Sequence, residues 1–216
     1  MKNLIKKFVK CLCLMTMVSC GNSNQSTNIE TTSDVSLENK KDIVIENIMA
    51  RRSIRKYKNE AVSREVLEQI MECGINAPNG QNKQSWEVRI VDTPQVMKEI
   101  KETLNAAYPN MDNVADCFRD APVMVFIARD KSYDFSAYDC GLMAENMMLS
   151  AQALGVGSIC LGSPVRFIND SPSCAPIHER LDFSEGYELC LCVGLGYADE
   201  APAAKPRDKG KVKYVE

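Results

Sequence analysis

The chain has 216 residues, a formal net charge of -3 and 45% hydrophobic residues, which is the balance of an ordinary globular protein. This composition excludes a disordered or collagen-like chain, and the slightly acidic charge argues against a polyanion-binding protein, so we expect no nucleic-acid partner. No apolar run reaches the roughly 18–20 residues of a transmembrane helix. The sequence therefore predicts no membrane span.

The N-terminus has the layout of a secretory signal. Lysines at positions 2, 6, 7 and 10 precede a short apolar stretch, Cys11–Val18, which is too short to cross a bilayer. The junction Met17–Gly21 resembles a bacterial lipobox, where cleavage would leave Cys20 as a lipidated N-terminus. The competing interpretation is an amphipathic N-terminal helix of a cytosolic protein. We expect residues 1–20 to be a lipoprotein-type signal peptide, with the protein exported to the cell envelope and held at a membrane only by its lipid anchor.

The segment that follows is poor in apolar residues. Gly21–Lys41 is dominated by Asn, Ser, Thr, Glu and Lys, a composition that cannot bury a core, so residues 21–41 are predicted to be a flexible tether. The folded domain is then expected over residues 42–216. With roughly 175 residues, such a domain buries about 70% of its unfolded surface and needs no disulfide staples.

Hydrophobic periodicity predicts four helices in this domain. In chain order they are one carrying Ile45, Ile48 and Met49, one from Ser63 to Gly74, one from Thr93 to Leu104 and one from Asp139 to Leu154. Ser63 is a good N-cap for the second helix. Gly155 is placed to end the fourth, because glycine readily adopts the left-handed conformation that follows a helix.

Four segments are predicted to be strands. They are Glu87–Val91, Pro122–Ala128, Val156–Leu161 and Leu189–Leu195. The continuous apolar run Pro122–Ala128 indicates a strand that is buried on both faces. Helices and strands mix without a strict repeat, so the predicted fold class is α+β with a central sheet.

Two basic clusters are candidates for anion binding. Arg51, Arg52, Ser53 and Arg55 follow the first helix, and guanidinium groups present forked donors that match phosphate oxygens. Lys205 and Arg207 form a second cluster near the C-terminus. Either cluster could equally be plain solvated surface, and the spacing alone does not bring the two together.

A loop rich in amides precedes the first strand. It runs from Ala77 to Trp86 and contains Asn82 and Gln84. Each of these side chains offers both a donor and an acceptor, so they could bind the edge of a heterocyclic ring. The alternative is a hydrogen-bonded turn for which Trp86 is the core anchor.

The remaining candidates carry little chemistry. His178 is the only histidine and is expected on the surface, so the sequence predicts no metal site and no histidine-based catalytic residue. Cys190 and Cys192 alternate on the last strand and are expected on one face as small hydrophobes. Seven cysteines follow Cys20, an odd number that does not indicate a disulfide framework.

Taken together, five segments resemble the nitroreductase family of FMN-dependent oxidoreductases. The similarity covers Ile43 to Arg207. The segments are Arg51–Arg55, Ala77–Trp86, Ala121–Val125, Gly141–Ser158 and Val193–Tyr197 leading to Lys205–Arg207. The resemblance implies a central, mostly antiparallel sheet flanked by helices, in an intertwined homodimer whose flavin lies at the interface. Residues 211–215 could be the C-terminal strand that joins the sheet of the partner.

The resemblance also implies a role for each site residue. Arg51, Arg52, Ser53, Lys205 and Arg207 would hold the FMN phosphate. Arg55 would face the N1/O2 side of the flavin, where a cation stabilises the negative charge of the reduced ring. Asn82, with Gln84 beside it, would bind the pyrimidine edge, and the backbone of Leu161 and Gly162 would approach flavin N5. Ser85 stands where the family commonly has Pro, which is expected to loosen the turn.

The function implied is an FMN-dependent oxidoreductase. NAD(P)H would reduce the flavin, leave and be replaced by a small electron acceptor such as a nitroaromatic or a quinone, and the flavin itself would carry the hydride chemistry. The alternative is a membrane-tethered module that keeps the fold and binds a flavin or small molecule without turnover. Export motivates this alternative because it separates the domain from cytoplasmic FMN and NAD(P)H.

Overall fold

Four antiparallel strands form the central sheet of the computed structural model. They are β1 (Trp86–Val91), β2 (Val123–Asp130), β3 (Gly157–Leu161) and β4 (Tyr187–Gly196), in the spatial order β1-β2-β4-β3. Every paired register is antiparallel. This arrangement confirms the predicted antiparallel sheet, and it leaves β1 and β3 at the two edges.

The structure describes residues 37–216, with side chains from residue 39 onward. The predicted signal peptide and residues 21–36 of the predicted tether lie outside the described residues. The first helix begins at Leu37, ahead of the domain start expected at Asp42. No helix in the part of the chain that is described is long and apolar enough to cross a membrane.

Six α-helices surround the sheet in the described chain. They are α1 (Leu37–Ala50), α2 (Arg64–Ile75), α3 (Pro94–Ala107), α4 (Ser136–Ala153), α5 (Ser163–Asp170) and α6 (Ala175–Leu181). The sequence predicted the first four. It missed α5 and α6, because helices of 8 and 7 residues are too short to show a periodic pattern.

The two predicted capping residues, Ser63 and Gly155, are confirmed. Ser63 has extended backbone angles, and its side chain accepts a hydrogen bond from the Val66 amide at 3.4 Å, as an N-cap does. Gly155 has φ 74° just after α4, a conformation that a residue with a Cβ adopts only under strain.

Two hydrophobic layers cover the two faces of the sheet. On β2, Met124 and Phe126 pack with helices α3, α5 and α6, whereas Val123, Val125 and Ile127 pack with α2 and α4. All five of these β2 side chains are buried. The strand therefore lies inside the protein on both faces, as its continuous apolar sequence predicted.

A β-bulge interrupts the pairing of β2 with β4. Ile127 pairs with Leu191 and Ala128 pairs with Leu189, so Cys190 is an extra residue with no opposite partner. An extra residue reverses the alternation of side chains beyond it. Cys190 consequently packs in the layer with α4 and Cys192 in the opposite layer, and the expectation that they share a face is wrong.

Candidate cofactor-binding site

The two basic clusters meet in one cavity. A cavity of about 340 Å³ is lined by Arg51, Arg52, Ser53, Arg55, Lys205 and Arg207, together with residues of α1 and of 202–204. Its size falls within the range of small-molecule sites. The structure thus joins residues that are about 150 positions apart and that sequence spacing alone could not bring together.

Backbone pairing fixes the first cluster beside the sheet. After α1 the chain runs along the free edge of β3, where Ser53 bridges Ser158 and the Ile54 amide donates to the Ser158 carbonyl at 2.9 Å. The Ile54 side chain is buried. Because Ile54 points inward, its neighbours Ser53 and Arg55 are held at the surface of the cavity.

A second set of contacts brings in the C-terminal segment. Beyond β4, the Asp199 amide donates to the Lys56 carbonyl at 2.9 Å. The Glu200 side chain accepts hydrogen bonds from the backbone amides of Arg55 and Lys56. These contacts fasten the segment after Gly196 against residues 55–56 and lead the chain to Lys205. The role of Glu200 could not be predicted from the sequence, because its partners are 144 and 145 residues away.

The cavity is electropositive. Among the salt bridges of the described residues, the only one that involves a cation of this cavity joins Arg51 to Glu145, at 3.8 Å. Arg52 donates to the carbonyls of Met49 and Arg51 at 2.6 and 2.8 Å. Since the other cations of this cavity form no salt bridge within the described chain, the cavity favours an anionic ligand.

The amide loop forms a separate part of the candidate site. Asn82 and Gln84 are exposed, with φ angles of 53° and 48°, and Gln81 shares this left-handed conformation with φ 56°. Strained backbone of this kind persists only where neighbouring contacts hold it. The Asn79 side chain accepts a hydrogen bond from the Gln84 backbone amide at 3.0 Å. This contact helps to hold the loop in its left-handed conformation.

Asp139 is the main anchor of this loop, a role that the sequence did not predict. Its buried carboxylate accepts hydrogen bonds from the Gly80 amide at 2.9 Å and from the Ser85 hydroxyl at 2.8 Å. Ser85 therefore ties the turn to α4 through a hydroxyl contact that a proline at this position could not make. No local pattern marks Asp139, because its partners are 54 and 59 residues away along the chain.

Leu161 and Gly162 lie at the end of β3. Leu161 is buried and Gly162 is exposed, and a Cβ added to Gly162 would meet no atom within 4 Å. The φ of Gly162 is -97°, which any residue adopts, so the fold itself does not require glycine there. Open space beside exposed backbone is what a closely approaching ligand needs.

The predicted cofactor-binding residues therefore do not all lie in the basic cavity. The cationic residues and Ser53 share one cavity, whereas Asn82, Gln84, Leu161 and Gly162 do not line it. His178 is exposed on α6. Within the described residues, no cluster of His, Cys, Asp and Glu could hold a metal ion.

Known proteins that are similar to this chain include nitroreductases and NADPH-dependent oxidoreductases. The family model described as "Nitroreductase family" matches residues 48–197. An NADPH-dependent oxidoreductase of Staphylococcus haemolyticus is 30% identical over 182 residues, covering 77% of this chain and 70% of that protein. Lys205 and Arg207 lie beyond the matched residues of the family model.

Two solved structures are similar to this chain over most of its length. A nitroreductase with bound FMN from Bacteroides fragilis superimposes with a TM-score of 0.73 at 26% identity, covering 80% of this chain and 98% of that one. A nitroreductase with bound FMN from Desulfitobacterium hafniense gives 0.72 at 30% identity, with the same coverage of both chains. Together with the match over residues 48–197, these likenesses show that the chain belongs to the nitroreductase family.

Proposed function

We propose that the protein is an FMN-dependent oxidoreductase that uses NAD(P)H to reduce a small electron acceptor such as a nitroaromatic or a quinone. The observation that carries the proposal is the cavity where Arg51, Arg52, Ser53, Lys205 and Arg207 converge. It offers several cations and a hydroxyl to a phosphate group. The FMN-bound relatives support the identity of the phosphate-bearing ligand.

The chain fits a ligand with a phosphate at one end and a ring at the other. Ser53 pairs with Ser158 at the start of β3, and Gly162 follows the end of the same strand. A strand rises ~3.3 Å per residue, so Gly162 lies about 13 Å from Ser158. The exposed backbone at Gly162 and the exposed amides of Asn82 and Gln84 are suited to a heterocyclic ring.

The residues of the chain would bind and tune the cofactor rather than react. Bound FMN would supply the hydride chemistry. The cations and Ser53 would hold its phosphate through charge-assisted hydrogen bonds. Arg55, which donates to the Ser53 carbonyl at 3.1 Å, would stabilise the negative charge of the reduced ring. No residue is assigned as a proton donor or nucleophile.

A homodimer forms part of the proposal. The C-terminal residues Val212, Tyr214 and Val215 are 74%, 93% and 99% exposed, and in the single chain this tail is not a strand. β1 has a free edge. Apolar residues without a cover and an unpaired strand edge both favour pairing with another chain, so the tail of one subunit would add to the sheet of its partner.

Exposed apolar residues on two helices support the same assembly. Ile43, Ile45 and Met49 of α1 and Tyr138 and Leu142 of α4 are all exposed in the single chain. A cofactor at the dimer interface would also explain why the amide loop and the basic cavity are separate within one subunit. The second subunit would complete the site.

We also propose that the protein is exported and anchored through lipid on Cys20. The charged start, the short apolar stretch and the junction Met17–Gly21 support this part. Residues 21–36, which have few apolar residues to bury, would act as a tether for the folded domain. The anchor would be the only contact of the protein with the membrane.

Spectroscopy and turnover test the proposed function. The purified full-length protein should be yellow and should release FMN on denaturation. It should oxidise NADH or NADPH when a quinone or a nitroaromatic is added. Yellow protein without turnover would favour the alternative, a tethered flavin-binding module. Colourless protein that FMN cannot reconstitute would contradict the proposal.

A further inference from the structure

Two cysteines from distant parts of the chain pack in the same hydrophobic layer, away from the basic cavity. Cys140 is on α4 and fully buried, with its Sγ 3.7 Å from the Ala128 carbonyl oxygen. Cys190 is the extra residue of the β-bulge, directly beside the position that pairs with Ala128. Each of the two thiols shifts the pKa of the other.

The surroundings of the two thiols differ. The Cys140 thiol lowers the pKa of the Cys190 thiol below its ordinary value, and the guanidinium of Arg129 lowers it further against the opposing effects of burial and Glu188. The pKa of Cys140 is raised by the Cys190 thiol, by burial and by the negative charge of the neighbouring Asp139. Cys190 is therefore the thiol that more readily becomes the reactive thiolate.

Accessibility separates the two thiols in the same way. Cys190 is half-buried and Cys140 is buried. A small reagent from solution therefore meets Cys190 first. Four other described cysteines lack this combination, because burial raises the pKa of Cys117, Cys160, Cys174 and Cys192.

We propose that Cys140 and Cys190 form a thiol–disulfide exchange site for low-molecular-weight disulfides, with Cys190 as the attacking thiol and Cys140 as the resolving thiol. The bulge carries the proposal, because it turns Cys190 towards α4 instead of leaving it on the face of Cys192. The site uses no residue of the basic cavity. Its operation does not depend on the proposed flavin chemistry.

The exchange proceeds in two balanced steps. The Cys190 thiolate attacks one sulfur of the external disulfide, whose S–S bond breaks, and one thiol leaves with the proton that Cys190 lost. The Cys140 sulfur then loses its proton and attacks the Cys190 sulfur, and the second thiol leaves with that proton. Two protein thiols are oxidised to one disulfide, and one external disulfide is reduced to two thiols.

Peptide mapping of the full-length protein tests the site. The reduced protein is incubated with oxidised glutathione, quenched in acid, unfolded, treated with N-ethylmaleimide and digested. We expect a peptide pair joined through Cys140 and Cys190, which dithiothreitol separates. In Cys140→Ala, glutathione should remain on Cys190. In Cys190→Ala, Cys140 should stay unmodified, and the matched control Cys73→Ala, which alters an exposed cysteine, should keep the link.

The wild-type map decides the proposal even if a variant fails to fold. Recovery of both cysteines as maleimide adducts would overturn it, because no exchange would have occurred. Glutathione retained on Cys190 of the wild-type protein would overturn the role of Cys140. A rate measurement adds an independent check: Cys140→Ala should slow alkylation of Cys190 at neutral pH, since the neighbouring thiol that favours its thiolate is lost.

Discussion

Arg55 and Arg207 line the same cavity, yet replacing each of them is expected to change a different property of the bound flavin. Arg207→Ala should mainly weaken FMN binding, because a lost charge-assisted contact is worth about 1.5–3 kcal/mol, or roughly tenfold to a hundredfold in affinity. Arg55→Ala should instead lower the flavin midpoint potential, since its proposed partner is a charge of the reduced ring. The measurements are NAD(P)H turnover against added FMN and a redox titration of each variant.

Saturation with FMN separates these two residues. Activity should recover in Arg207→Ala and stay slow in Arg55→Ala. Equal recovery of both variants would show that Arg55 is only another binding contact. Both residues line one cavity, so their positions do not show which of them binds the phosphate and which stabilises the reduced ring.

Asp139 offers a second test at the scale of single residues. Asp139→Ala removes the acceptor of the Gly80 amide and the Ser85 hydroxyl, and Ser85 is buried. We expect a loss of about 2–4 kcal/mol in the free energy of unfolding, because a buried donor without an acceptor carries its desolvation cost. Urea unfolding measures this, with the exposed Asp134→Ala as the matched control. Equal stability of the two variants would show that Asp139 does not anchor the loop.

At the scale of elements, the C-terminal tail is the segment whose role depends on a second chain. Val212→Asp combined with Tyr214→Asp should dissociate the proposed dimer, because charges would replace apolar side chains in the interface. Both side chains are exposed in the single chain, so the subunit itself should fold. Sedimentation velocity gives the result, with Lys213→Ala as the control. A dimer of unchanged affinity would mean that the tail does not join the partner.

The β-bulge has a consequence for stability as well as for reactivity. A disulfide between Cys140 and Cys190 would close the loop that contains most of α4, then β3, α5, α6 and the start of β4. Closing a loop of this length is worth about 2–4 kcal/mol, chiefly by restricting the unfolded chain. Oxidised protein should therefore melt several degrees above reduced protein, while Cys190→Ala should show no such difference. A melting temperature that oxidation leaves unchanged would contradict the expected stabilisation.

The elements differ in how far local sequence defined them. Helices α1–α4 and all four strands were predictable, because their apolar residues repeat with the period of the element or form an unbroken buried run. The bulge at Cys190 was not, since the sequence of β4 contains no glycine or proline at that point. Its position depends on how β4 pairs with β2, which is a contact between distant segments.

At the scale of the whole molecule, the proposed lipid anchor decides where the domain works. Cys20→Ala should leave the domain folded and release it from the membrane fraction, because lipid attachment needs the cysteine sulfur. Cell fractionation followed by immunoblotting measures the change, with Ser23→Ala in the proposed tether as the control. An unchanged membrane fraction would show that another feature anchors the protein or that no lipid is attached.

The amino-acid sequence by itself determined the fold class, the main elements and the residue types of the candidate site. Apolar periodicity is a local property, and the motifs of the family stand in the chain as contiguous segments such as Arg51–Arg55. Tertiary structure alone decided that Arg51–Arg55 meets Lys205 and Arg207, that Asp139 holds the amide loop and that Cys190 packs in the same layer as Cys140. Each of these contacts joins residues at least 50 positions apart, so it depends on how the sheet and helices pack rather than on any local pattern.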